Sequence, residues 1–148
     1  MKYYVTFFQL VILFSSGSSF AQDIEEFMWK NRLIILSVDA TENEQYKAQV
    51  NSLKSDPEGL DVRKLIVITL IPDFQLTGLS ANIRQNIDSS YDKFLSDQRP
   101  FMFYLIGLDG GIKFSSPTIV GNKELFSLID VMPMRRLEIE NNNKSKKD

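Results

Sequence analysis

Arg135 and Arg136, directly after Met132-Pro133-Met134, are the residues of this sequence best suited to hold a ligand. Two guanidinium groups beside a proline kink offer planar forks that match a carboxylate or a phosphate. The same two residues could instead pair with Asp109 or Asp130 and offset a helix dipole. We expect one of them to pair with Asp109 and to leave the other for an anionic group. Lys113 stands four residues after Asp109, and it could move protons near neutrality only if strongly desolvated. Arg32 and Arg63 each precede an apolar run, where pairing with an acid at a sheet end competes with ligand binding. Trp29 is the only tryptophan. We expect it to pack under the first strand, with ligand stacking as the alternative. The chain has no Cys and no His, which excludes thiolate nucleophiles, disulfides, Cys/His zinc sites and His-based triads. Asp39, Glu42 and Glu44 lack the spacing of a calcium loop and read as helix N-terminal acids. We therefore expect no catalytic residue, no metal and no cofactor.

The elements that must position these groups follow from hydrophobic patterning. Asp23 can cap a short helix through Ile24, Phe27 and Met28 that ends near Trp29. Leu33–Val38 and Leu65–Ile71 are continuous apolar runs, as strands buried on both faces require. Between them, Thr41-Glu-Asn-Glu44 reads as a capping box ahead of a Tyr46, Val50, Leu53 stripe. Ile83, Ile87, Tyr91 and Phe94 predict a second helix after Ser80. Pro100 opens a strand over Phe101–Ile106, and Asp109-Gly110-Gly111 turns it into a hairpin through Ile112–Phe114. Those glycines join strand to strand, so they are turn residues and not a phosphate cradle. Asn122 can cap a last helix that Pro133 should end or kink. Asn141–Asp148 has nothing to bury and reads as a disordered polar tail.

The resulting order, β-α-β-α-β-β-α, predicts an α/β thioredoxin-like domain with a four-stranded mixed sheet and helices on both faces. In that arrangement the proline before the third strand is usually cis, which makes Pro100 a candidate cis-proline. The redox centre would lie between Asp39 and Tyr46. No thiol stands there, so thiol-disulfide exchange is excluded.

Ahead of the domain, Met1-Lys2, an apolar stretch over Tyr3–Phe14 and a small-residue site ending at Ala21 form the three parts of a secretory signal peptide. Its apolar stretch is shorter than the roughly 20 residues a bilayer span needs. The expected organisation is signal peptide 1–21, domain 22–140 and tail 141–148. Localisation would then be periplasmic or secreted, with no membrane anchor after cleavage. A net charge of −2 with no long basic stripe before the tail argues against nucleic acid as a partner.

Trp29-Lys-Asn-Arg32, Gly107-Leu-Asp-Gly-Gly-Ile-Lys113 and Ile129-Asp-Val-Met-Pro-Met-Arg-Arg136 together resemble a bacterial family of secreted or periplasmic domains of unknown function. That family is similar to the thioredoxin-like DUDES domain of sushi-repeat and Equarin extracellular proteins. The resemblance implies a thioredoxin-like fold related to peroxiredoxins and no established activity. We therefore expect a binding or interaction module for a protein or anionic ligand in the envelope or extracellular space. A thiol-independent enzyme using Arg and Asp, and a structural envelope or matrix component, are the alternatives.

Overall fold

The computed structural model describes residues 23–80, 84–95 and 99–145; the signal-peptide reading of Met1–Ala21 lies outside them. Asp23 accepts a hydrogen bond from Glu25 N and caps α1 (Ile24–Phe27). Strand β1 (Arg32–Val38) follows and is buried at every position. Helix α2 (Glu44–Lys54) is capped by Asn43, whose side chain accepts from Tyr46 N, so Asn43 takes the place expected of Thr41. A further helix, α3 (Pro57–Asp61), has Asp56 as its cap and leads into β2 (Leu65–Ile71).

Pro72-Asp73 then makes a tight turn into β3 (Phe74–Thr77), an edge strand antiparallel to β2. The sheet thus has five strands in the order β3-β2-β1-β4-β5, one more than expected. Strand β3 alternates Phe74 and Leu76 with Gln75 and Thr77, but over only four residues, too short a run to stand out beside β2. Strands β4 (Phe101–Ile106) and β5 (Ile112–Ser116) form the expected hairpin. Strand β1 runs parallel to β2 and antiparallel to β4. A central βαβ unit flanked by a hairpin, with helices on both faces, is the thioredoxin-like arrangement.

The two faces are filled by alternate residues of the same strands, as the period of two requires. Ile34, Leu36 and Val38 meet Leu53, Leu60, Leu125 and Ile129 on one face. Leu33 and Ile35 meet Ile24, Phe27, Tyr91 and Phe94 on the other.

Several local expectations are corrected. No cis peptide occurs among the described residues, so Pro100 is trans. In that geometry its carbonyl accepts from Asp39 N and Asn43 Nδ2, fastening the loop after β1. The second helix is largely replaced. Ile83 lies outside the described residues, and Gln85 exchanges backbone hydrogen bonds with Gln75, which holds that segment extended. Only a 3-10 turn (Ser89–Tyr91) and α4 (Asp92–Leu95) are helical. The apolar spacing marked burial at Tyr91 and Phe94 but not helix. Helix α5 (Asn122–Asp130) is capped by Gly121; Asn122 instead donates to Ser52 O at 2.7 Å. Pro133 opens α6 (Pro133–Ser145), where its missing amide costs nothing. The helix continues through Asn141–Ser145, so that part of the expected tail is ordered, with a Lys144–Glu140 pair at 2.8 Å.

Candidate functional site

Residues before β1, after β4 and between α5 and α6 meet at one end of the sheet. They line a groove of about 380 Å³ formed by Trp29, Arg32, Gly107, Leu108, Asp109, Lys113, Met132, Pro133 and Met134. Four of the expected site residues, Trp29, Arg32, Asp109 and Lys113, therefore converge there. Arg63 and Arg135 lie in the ion network beside Arg32, and Arg136 is exposed on α6.

Trp29 does not pack under β1 as expected. Its backbone is pinned by donation to Leu108 O at 2.7 Å, its φ is 63°, and the residue is 64% exposed. A chain that must leave α1 and enter β1 between such fixed ends takes a left-handed turn, which turns the indole outward. On the facing hairpin, Gly110 supplies a φ of 75° and Gly111 N donates to Asp109 Oδ1. Asp109 Oδ2 accepts from Lys113 Nζ at 2.6 Å. The Lys113 and Gly111 hydrogen bonds hold the Asp109 carboxyl below its ordinary range. Asp109 thus pairs with Lys113, and neither Arg135 nor Arg136 pairs with it as expected.

The arginines are held by two carboxylates. Arg63 grips Asp130 side-on, Nε to Oδ1 at 3.0 Å and Nη2 to Oδ2 at 2.5 Å, with its guanidinium over the Phe126 ring. Arg135 reaches Asp130, Val62 O and Glu138, so it is consumed in internal pairs. Burial raises the Asp130 and Glu138 carboxyls, but the arginine hydrogen bonds and charges outweigh it and hold both below the ordinary range.

Arg32 is the outlier. It continues the buried row of Ile34, Leu36 and Val38 and is 1% exposed. Its Nη1 donates to Arg63 O at 3.0 Å and to Glu138 Oε2 at 3.2 Å, while Nε and Nη2 have no partner among the described residues. The expected pairing with an acid at the sheet end is present, but it uses one nitrogen of three.

Sequence reasoning missed Glu138, Leu108, Met132 and Met134. Glu138 carried one usable signal, its place three residues after Arg135 on a helix.

No curated protein matches the chain significantly. Four chains of known structure do. One is the reduced 2-Cys peroxiredoxin of Plasmodium vivax, 13% identical, with 81% of this chain and 83% of that one covered and a TM-score of 0.46. The strand order, and not this distant likeness, carries the fold assignment. A family model, Domain of unknown function (DUF4174), matches residues 23–138, from the α1 cap to the Glu138 counter-ion. With that match spanning most of its length, the chain belongs to the DUF4174 family of domains of unknown function.

Proposed function

We propose that this chain is an exported, non-redox binding module whose ligand seats in the groove between Trp29 and Met134. One observation carries the reading: a bulky indole, 64% exposed in a left-handed conformation, lines the same groove as Met132, Pro133 and Met134. Such a residue contributes little to the core, whereas exposed aromatic and Met side chains are the usual anchors of binding surfaces. Redox chemistry has no thiol to use. Export rests on the three-part leader over Met1–Ala21, which sends the domain to the periplasm or the outside of a bacterial cell. The resemblance to the DUDES domain of extracellular proteins supports an interaction role in that setting.

The test is capture from the organism's own envelope fraction by the exported protein, its N-terminus fixed at Gln22 by intact mass. Loss of a captured partner or ligand in Trp29→Ala/Met134→Ser, at unchanged melting temperature, supports the reading. Equal capture by both proteins overturns it.

A further inference from the structure

The edge of Arg32 that its own fold leaves empty has a defined chemistry. Nε–H and Nη2–H point the same way from the planar guanidinium and form the fork that matches the two oxygens of a carboxylate. This chain already uses that edge once, where Arg63 holds Asp130 with the same two nitrogens. At Arg32 the fork is buried and unpartnered, a costly arrangement for a permanently charged group. Nothing in its internal contacts demands a guanidinium. The Nη1 bonds to Arg63 O and Glu138 are ones an ammonium could make.

The surrounding charge agrees. Arg32, Lys64 and Arg135 share Glu138, and Arg63 and Arg135 share Asp130, so four cations lean on two carboxylates. Lys113 adds no excess because Asp109 neutralises it. The N-terminal end of α6, with Pro133 and Met134 on the groove, adds a positive dipole end. The remaining walls, Trp29, Leu108 and Met132, are apolar.

Resting on the groove as the binding site, we infer that its ligand is a small organic acid, its carboxylate gripped by the Nε/Nη2 edge of Arg32 and its apolar body lying against Trp29 and Met134. The volume, about 380 Å³, is at the small-ligand end of the usual range. The fork is closed to water, so the carboxylate enters by displacing a lining side chain. Met132 and Met134, unbranched and readily repacked, are the lining residues that yield with least strain.

The experiment titrates the full chain with phenylbutyrate, phenylbutanol and inorganic phosphate. Two signals are read: emission of Trp29, the sole tryptophan, and the Arg32 Nε–H resonance. Phenylbutyrate should move both saturably, with affinity at least about tenfold above that of the alcohol. Arg32→Met should fold normally by circular dichroism and lose that preference. Equal affinity for acid and alcohol overturns the carboxylate while leaving the apolar groove standing. Phosphate binding as tightly as phenylbutyrate overturns the organic acid. Silence from all three probes overturns the inference, and envelope capture judges the groove separately. Should Arg32→Met fail to fold, an unmoved Arg32 resonance in the unaltered chain overturns it.

Discussion

The two ends of β1 lie about 20 Å apart, given the ~3.3 Å rise per residue of a strand, and they have opposite characters. At the C-terminal end, where this fold places a redox thiol, Asp39, Asn43 and Pro100 close the loop on itself. Asn43 Nδ2 donates to Asp39 Oδ1 and to Pro100 O, and Asn43 Oδ1 accepts from Tyr46 N. At the N-terminal end, buried charges outnumber their partners and Arg32 keeps two donors empty. Polar satisfaction is complete among the named groups at one end and deficient at the other. At the second end it is a charged group, the Arg32 guanidinium, that keeps two buried donors without a partner among the described residues.

The largest way to break this contrast is to remove the counter-ion. Helix α6 buries only Arg135, so charge and not apolar area fastens it to the sheet. Glu138→Ala leaves both Arg32 and Arg135 short of their shared carboxylate. It should lower unfolding free energy by about 3 kcal/mol, as expected when one partner of a buried pair is lost. Urea unfolding followed by Trp29 fluorescence checks it, and a loss no larger than a surface pair gives would make the network ornamental.

Acid should separate the two ends next. Because the folded Glu138 and Asp130 carboxyls titrate below their unfolded values, their contribution is fully present above the unfolded range. It is lost as pH falls through the depressed folded values, starting below roughly pH 4. Amide exchange in mild acid should show α6 losing protection before α2. Glu138→Gln should flatten that dependence.

The same contrast explains how much could be read from the sequence. The long strands were plain, because Leu33–Val38 and Leu65–Ile71 are apolar without interruption. The edge strand β3 was not, because its alternation of Phe74 and Leu76 with polar residues lasts only four residues, directly after Pro72 closes the run of β2. Ile87, Tyr91 and Phe94 announced burial at helical spacing, yet the bridge between Gln75 and Gln85, a nonlocal contact, fixed the backbone otherwise. At the site, Trp29, Arg32, Asp109 and Lys113 line one groove, whereas Arg135 is held in the ion network beside it and Arg136 stands exposed on α6. The partnerships were not foreseen correctly. Asp109 chose Lys113, its neighbour across a tight turn, over a distant arginine, and Glu138 fell in a stretch whose pattern carried little apolar signal.

At the closed end, Asn43→Ala removes a helix cap and the tie to Pro100 together. About 1 kcal/mol should be lost, the usual worth of a cap. Thermal melting checks it, and Trp29 emission should not move, because the groove lies at the other end of β1. A change in that emission would mean the two ends are coupled.

The smallest effect has the opposite sign. Trp29 holds a φ of 63° while 64% exposed, so its side chain returns little burial energy for a conformation that disfavours bulky residues. Asn tolerates that region, and Trp29→Asn should therefore raise stability by about 0.5 kcal/mol, part of the roughly 1–2 kcal/mol that left-handed geometry costs. Urea midpoints read by circular dichroism decide it, since the variant has no tryptophan. A gain in stability coupled to loss of capture would show that the indole is kept for what it touches outside the chain. A loss of stability would place it in the scaffold, and the contrast between a satisfied end and a binding end of β1 would then rest on Arg32 alone.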